Sequence, residues 1–427
     1  MTRVSLAIPL VAAAMAACSL PADEPAGPAW RAGAARIDVT PPKGFPMWGY
    51  GARKDAASTG VRDSLHARAL VLEAAGKRIA LVGLDLGRPP TRASFARIEA
   101  ALKGDGIDGL FLVASHTHHG PVLELDDWPT KEKPYTADLE AKLIRVVRDA
   151  AKELRPARWA VGASRGDWNR NRHSKLADKP LDDSLQVLRV EGLDGKPIAH
   201  AVNFAAHPTI LPAKLLDFSA DYPGALCRAV EKETNAPCLF LQGASGDLSP
   251  KALKSGDPDG FGQLLAGEVL KLVPNLKPKP SARPALAFAT EEFTFKPRID
   301  LGNPLVTLVY SQAFFPALVA FYEREYRDGV RPRVTVALLD GKFGLVGVSG
   351  EPFCAHGLGL KRRARLDHLF VLGYCNDYQQ YFPTIEAAAE GGYGADFAVA
   401  IAEVGAGERM ADAALLRLYK MRGKIDP

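Results

Sequence analysis

Three of the nine histidines in this 427-residue chain fall within Ser115-His116-Thr117-His118-His119-Gly120-Pro121. They sit where an apolar run, Gly109-Leu110-Phe111-Leu112-Val113-Ala114, stops and a Gly-Pro turn begins. Side chains alternate along a strand with period two, so a strand ending in His-x-His directs two imidazoles to one side. That pattern places His116 and His118 together and turns His119 away. Imidazole is the commonest metal ligand and the usual acid-base group near neutral pH. The stretch is therefore a candidate floor of an active site.

Other reactive side chains share this context. Asp85 closes the apolar run Arg78–Leu84, and His207 closes Val202–Ala206. Asp247 and Ser249 follow Cys238–Gln242, Glu351 follows Phe343–Val348, and Asn376, Asp377, Tyr378 and Tyr381 follow Leu369–Gly373. In open α/β sheets, ligands bind beyond the carboxyl ends of strands. Two histidines and a glutamate with an open position make up a catalytic zinc site. Each residue also has a structural reading. His207 is a candidate hydrogen-bonded core histidine. Glu351 before Pro352 fits the acidic start of a helix. Tyr378 and Tyr381 can serve by packing alone. Ser245, in Gly243-Ala244-Ser245-Gly246-Asp247, departs from G-x-S-x-G at its last position. Spacing alone leaves a metal hydrolase, a metal-free acid-base site and a binding role open.

The elements that must position these residues alternate between strand-like and helix-like patterns. Leu139, Leu143, Val146, Val147 and Ala150 mark one face of a helix over 139–154. Strands are expected over 185–190 and 198–206, a helix over 222–233, and a hairpin at Asp340-Gly341 between 334–339 and 343–348. A helix follows Pro352, and an amphipathic helix over 409–421 closes the chain. The expected fold class is α/β: a single large domain, residues 34–427, on a mixed β-sheet flanked by helices, with the site at strand C-terminal ends. The Pro-rich stretch 277–283 is expected to be a surface loop.

Composition limits the class. Hydrophobic residues are 47%, charged residues 24% and net charge +5, with both signs spread along the chain. This gives no nucleic-acid footprint. The basic run Lys361-Arg362-Arg363-Ala364-Arg365 fits a solvated helix face. At the N-terminus, Arg3 precedes an apolar run to Ala17, the pattern of a secretory signal over 1–17. Met15-Ala16-Ala17-Cys18 resembles a bacterial lipobox, which implies acylation of Cys18 and, with Ser19, outer-membrane sorting; plain export to the periplasm is the alternative. Residues 18–33, rich in Pro and Ala, are expected to be a tether. Of Cys227, Cys238, Cys354 and Cys375, none forms a CxxC pair, and a Cys227–Cys238 bridge is left open.

The order of the segments resembles the catalytic domain of the neutral (non-lysosomal) ceramidases. The resemblance runs through Arg36-Ile37-Asp38-Val39-Thr40-Pro41, Met47-Trp48-Gly49-Tyr50, Asp85-Leu86-Gly87, His116-Thr117-His118-His119-Gly120-Pro121, Asn169-Arg170, Phe204-Ala205-Ala206-His207-Pro208, Gly246-Asp247-Leu248-Ser249-Pro250, Gly350-Glu351 and Asn376-Asp377-Tyr378-Gln379-Gln380-Tyr381. It implies one zinc ion held by His116, His207, Glu351 and Tyr381, with Glu351 also accepting a proton from the attacking water. It further implies that His118 and Tyr393 stabilise the oxyanion and that Arg170 assists, or Arg172 if the alignment slips by two. Ser249 is implied to contact substrate. The implied activity is zinc-dependent hydrolysis of ceramide or a related N-acyl lipid at a membrane surface. Zinc hydrolysis of shorter N-acyl amines, acyl amino acids or esters, and a non-catalytic surface lipoprotein, are the alternatives. The chain departs from the family pattern at His119, Ser349 and Gly394, in its shorter loops, and in lacking the family's C-terminal immunoglobulin-like module.

Overall fold

The computed structural model describes residues 29–125, 134–251 and 257–426. The signal and lipobox segment lies outside them. Strands expected on one mixed sheet are divided between two. The larger sheet has eight strands in the order 238–242, 197–204, 184–192, 155–165, 30–38, 66–74, 77–84 and 109–114. Its two outermost pairs are parallel and its inner pairs antiparallel. The smaller sheet orders 286–292, 333–339, 343–348 and 368–372, with only the last pair parallel. The hairpin turns at Asp340-Gly341, where both residues have positive φ, as a type I′ turn demands.

The two sheets pack face to face. Leu70, Leu81, Phe111 and Leu241 of the first share a buried cluster with Leu339, Phe343, Leu345 and Phe370 of the second. Helices cover both outer faces. Helices Arg92–Gly104 and Tyr135–Lys152 cover one half of the larger sheet, and Asp221–Thr234 with Pro258–Leu272 the other. Cys354–Ala364 and Ala406–Met421 cover the smaller sheet. Strands buried on both faces become continuous apolar runs rather than alternating ones, and 79–84 and 109–114 have that character.

Three expectations change. The first long strand begins at Trp30, so residues 30–33 belong to the sheet rather than to a tether. The helix after Pro352 begins at Cys354, so Glu351 lies in a two-residue strand and not in the first helical turn. Cys227, Cys238, Cys354 and Cys375 are buried free thiols, so the Cys227–Cys238 bridge is not formed. The basic run ends the Cys354–Ala364 helix, where Lys361 pairs with Asp182 at 2.6 Å and Arg363 with Asp412 at 2.7 Å. Asp85 is structural: it accepts from buried Arg68 at 2.8 Å and from the His66 amide.

His200 is buried in strand 197–204, and neither ring nitrogen has a hydrogen-bond partner among the described residues. Burial, reinforced by the charge of Arg189, lowers its pKa from 6.5 to about 4. Between those values the unfolded chain holds a proton that the folded one rejects. Stability is therefore full above about pH 6.5 and falls as pH drops through the window. In His200→Leu, the difference in unfolding free energy between pH 7 and pH 4.5, from urea titration, is expected to shrink by about 2–3 kcal/mol.

Candidate active site

The site lies where strand 109–114 stops. The chain turns sharply there: His116 has φ +69°, a region uncommon for a residue with a side chain. Its amide is held by Leu86 O at 3.0 Å. The turn brings His116 and His118 to one side, with their Nε2 atoms 3.3 Å apart. The shared side expected from strand alternation is thus produced by a left-handed turn. His119 faces away, 2.7 Å from the buried Arg53 guanidinium. Arg53 also donates to the carbonyls of Trp48 and His118 and fastens this loop to its neighbour. Gly49, at φ +108°, passes so close to His118 that a Cβ would lie 2.7 Å from its Cα, which excludes any other residue there.

His207 enters from the end of strand 197–204. Glu351 and Tyr381 arrive as direct Cα partners in a two-residue parallel pairing, 351–352 with 381–382. Glu351 Oε2 lies 3.1 Å from His207 Nε2 and 3.5 Å from His116 Nε2. The ligating atoms of His116, His118 and His207 all fall within 4.8 Å of one another. The expected ligands His116, His207, Glu351 and Tyr381 are therefore brought together, and His118 joins them as a further potential nitrogen ligand.

The tautomers fit a metal. His116 Nδ1 lies 2.9 Å from Gly87 O, and His207 Nδ1 lies 2.7 Å from Ser245 O and 3.1 Å from Leu248 O. A carbonyl only accepts, so these Nδ1 atoms carry the protons and the Nε2 lone pairs point into the site. Burial keeps the rings neutral: His116 is lowered to about 3, against the opposing pull of Glu351. His118 and His207 also fall well below the usual value through burial, with further lowering by His116 and by Arg172, respectively. Neutral imidazoles beside a carboxylate suit a divalent ion such as Zn²⁺.

Tyr374 and Tyr378, from the segment after strand 368–372, complete the carboxylate shell. Tyr378 donates to Glu351 Oε1 at 2.5 Å and Tyr374 to Oε2 at 3.1 Å. Tyr374 also stacks on His116 at 4.1 Å and meets Ser245 Oγ at 3.1 Å. The Ser245 hydroxyl thereby has a structural partner and no histidine, as only its carbonyl meets His207. Tyr374 escaped the sequence reading, and Tyr378 proves more than a packing residue. Its proximity to Tyr381 in the sequence was the available signal.

Arg170 is exposed and takes no part in the cluster, because it points outward from a short strand paired with 248–250. Arg172, two residues on, is the arginine of the site. Its Nη2 lies 2.8 Å from His207 Nε2, 3.0 Å from Gly246 O and 3.2 Å from the Tyr381 hydroxyl. Ser249 is buried opposite Arg170 and is not among the pocket-lining residues. Tyr393 stands at the rim, 64% exposed, with its ring 5.7 Å from that of Tyr381.

A narrow, partly open pocket with a cavity volume of about 80 Å³ lies over these groups. One side presents His116, His118, Glu351 and Tyr381. The other is apolar, with Met47, Val122, Phe314, Phe315, Leu318 and Val399. Trp48 joins the two sides. Its ring is edge-on to His116 at 5.1 Å and to Tyr378 at 5.4 Å, and its Nε1 donates to Glu124 at 3.1 Å. Glu124 Oε1 also accepts from Arg88 at 3.0 Å and Tyr322 at 3.1 Å, and Arg88 reaches Asp377 at 3.2 Å.

No family model matches the chain. Solved structures do. A neutral ceramidase from Pseudomonas aeruginosa superposes with a TM-score of 0.77 at 18% identity, over 93% of this chain and 75% of that one. A structure described as ceramidase complexed with C2 gives the same TM-score at 17% identity, over 93% of this chain and 76% of its own. The fold is that of a neutral ceramidase. The expectation drawn from the ordered motifs holds at the level of fold.

Two outcomes follow from this shell. Tyr378→Phe removes one hydrogen bond from Glu351 and is expected to weaken the affinity of this cluster for a divalent ion about 10–100-fold, measured by chelator competition. Glu124→Leu removes one of the two carboxylates that pair with buried Arg88, and the acceptor of Trp48 and Tyr322, and is expected to cost about 3–5 kcal/mol in urea unfolding.

Proposed function

We propose that this protein is a metal-dependent hydrolase of N-acyl amides, with ceramide or a related N-acyl lipid as substrate. The observation that carries this reading is the convergence of His116, His118, His207 and Glu351 opposite an apolar wall. The neutral ceramidase fold supports the substrate class. His116, His207 and Glu351 would hold the ion, with Tyr381 and His118 as further donors, and Zn²⁺ matches this donor set. The bound ion supplies Lewis acidity, lowering the pKa of a water and polarising a carbonyl.

The chain's own groups divide the remaining work. The apolar wall, including Phe314, Phe315 and Leu318, takes the acyl chain and excludes water from the reacting carbonyl. Glu351, steadied by Tyr374 and Tyr378, accepts a proton from the attacking water. A C–O bond forms as the C–N bond breaks, and that proton passes to the departing nitrogen. The products are a carboxylic acid and an amine. Arg172, His118 and Tyr393 would stabilise the negative charge that develops on the acyl oxygen. His207 Nε2 lies 2.8 Å from Arg172 Nη2. His207 would hold the ion through that Nε2, and the Arg172 guanidinium beside it would face the substrate's acyl oxygen.

Chelation is expected to abolish hydrolysis of N-acyl amides and Zn²⁺ to restore it. His116→Ala and His207→Ala are expected to lose both stoichiometric metal and activity. Arg172→Ala should lower kcat about 10²–10³-fold, whereas Arg170→Ala should match wild type. Metal analysis with kinetics on a panel of acyl lengths checks this. Activity that survives in both histidine variants refutes the mechanism. For export, the proposal follows the signal and lipobox pattern, which places the enzyme at the outer membrane or in the periplasm. Radiolabelled palmitate incorporation lost in Cys18→Ser tests it.

A further inference from the structure

Residues 303–322 carry no charged side chain, yet they do not all enter the core. Helix Pro304–Ala313 buries Tyr310 and leaves Leu305, Leu308 and Val309 exposed at 74%, 61% and 65%. These three are spaced i, i+3, i+4, so they form one apolar stripe facing solvent. The stripe adjoins the pocket mouth. The helix leads directly into Phe314 and Phe315, which line the pocket. Near that same end the Ser311 carbonyl accepts from Lys54, a residue of the rim. The Tyr310 hydroxyl donates to Ala398 O, tying the helix to the loop that carries rim residue Tyr393 and Phe397, the latter 59% exposed. Large aliphatic and aromatic side chains grouped in water mark a surface that something covers.

From this we infer that helix Pro304–Ala313, with Tyr393 and Phe397, is a lipid-docking face that seats the pocket mouth on a phospholipid surface. The inference rests on the function proposed above and adds how its substrate arrives. A protein partner, or a second copy of this chain, seated on the stripe would crowd the mouth that the substrate must use. A lipid surface covers the same side chains and is itself the source of an N-acyl lipid. Among the described residues no helix is long and apolar enough to cross a membrane. A ten-residue helix with one exposed apolar face suits shallow, in-plane insertion. The chargeless segment avoids placing an ion in the acyl region, and Lys54 supplies a cation at the pocket rim. An N-acyl lipid can then pass from the bilayer to Phe314 and Phe315 without its chain crossing water. This docking is distinct from any acyl anchor at Cys18.

The test uses the full chain carrying Cys18→Ser, so that no acyl group contributes, with and without Leu305→Gln, Leu308→Gln and Val309→Gln together. Three readouts are compared: co-sedimentation with phosphatidylcholine vesicles containing an N-acyl lipid, hydrolysis of that embedded lipid, and hydrolysis of a short water-soluble N-acyl amide. The triple variant is expected to lose vesicle binding and embedded-lipid hydrolysis in parallel, by about tenfold or more. Its turnover of the soluble amide is expected to be unchanged. Should the triple variant not fold, Leu305→Gln alone is expected to shift the first two readouts in the same direction. Equal vesicle binding by both proteins overturns the inference. So does a dimer in sedimentation velocity that the triple variant disperses. Vesicle binding that depends on these residues, in a protein that hydrolyses neither amide, supports the docking face and overturns the proposed function instead.

Discussion

Everything in the site depends on holding imidazole lone pairs and a carboxylate close together and out of water. A buried carboxylate without partners would protonate or open its pocket to solvent. Here two phenols occupy both Glu351 oxygens, at 2.5 Å and 3.1 Å. Backbone carbonyls bind the Nδ1 protons of His116 and His207. For His116 and His207, each Nε2 aimed into the site is thus backed by a bonded Nδ1, whereas His118 Nδ1 has no partner among the described residues. Burial then acts in the useful direction: it keeps the histidines neutral and their Nε2 atoms available.

That arrangement needs rigid support from several elements at once. The doubled sheet supplies it. Strand 109–114 ends the larger sheet and delivers His116, while strands 343–348 and 368–372 of the smaller one deliver Glu351 and the tyrosines. Behind the pocket, Glu124 collects Trp48, Arg88 and Tyr322 into one buried network. Buried ion pairs contribute little net stability but penalise any arrangement that separates them. The network therefore holds Trp48 against the histidines, and Arg88 lies over the Tyr378 ring at 5.4 Å. Farther out, Arg68 joins Asp85 to Glu231 and braces the larger sheet against the Asp221–Thr234 helix.

Most of the fold was legible. The apolar runs at 79–84, 109–114, 238–242 and 343–348 are strands, and the period over 139–154 matches the helix Tyr135–Lys152. Strand existence follows from local patterning, but the partition into two sheets does not. Inner strands of either sheet, such as 79–84 and 343–348, are buried on both faces and look alike in sequence. Site membership was legible in part. His116, His118, His207, Glu351 and Tyr381 stood at strand ends or in the ordered motifs. Tyr374 and Glu124 did not stand out, because nothing local marks a buried tyrosine or glutamate as part of a distant cluster, and Arg172 stood only as the alternative to Arg170. Arg170 and Arg172 are two residues apart, so alternation alone would place both on one face. The chain turns between them instead, and Arg170 points to solvent.

By itself the sequence determined the alternation of elements, the chemical types available at each strand end, and the order that resembles a neutral ceramidase. Those properties are local: they depend on periodicity, turn residues and residue identity. The tertiary structure decided which side chains meet. It set the His116 turn at positive φ, the pairing of Glu351 with Tyr381, the choice of Arg172, and the outward stripe of Leu305, Leu308 and Val309. Each is a distance or direction between segments far apart in the chain, fixed only when two sheets close on a common core and leave one helix uncovered.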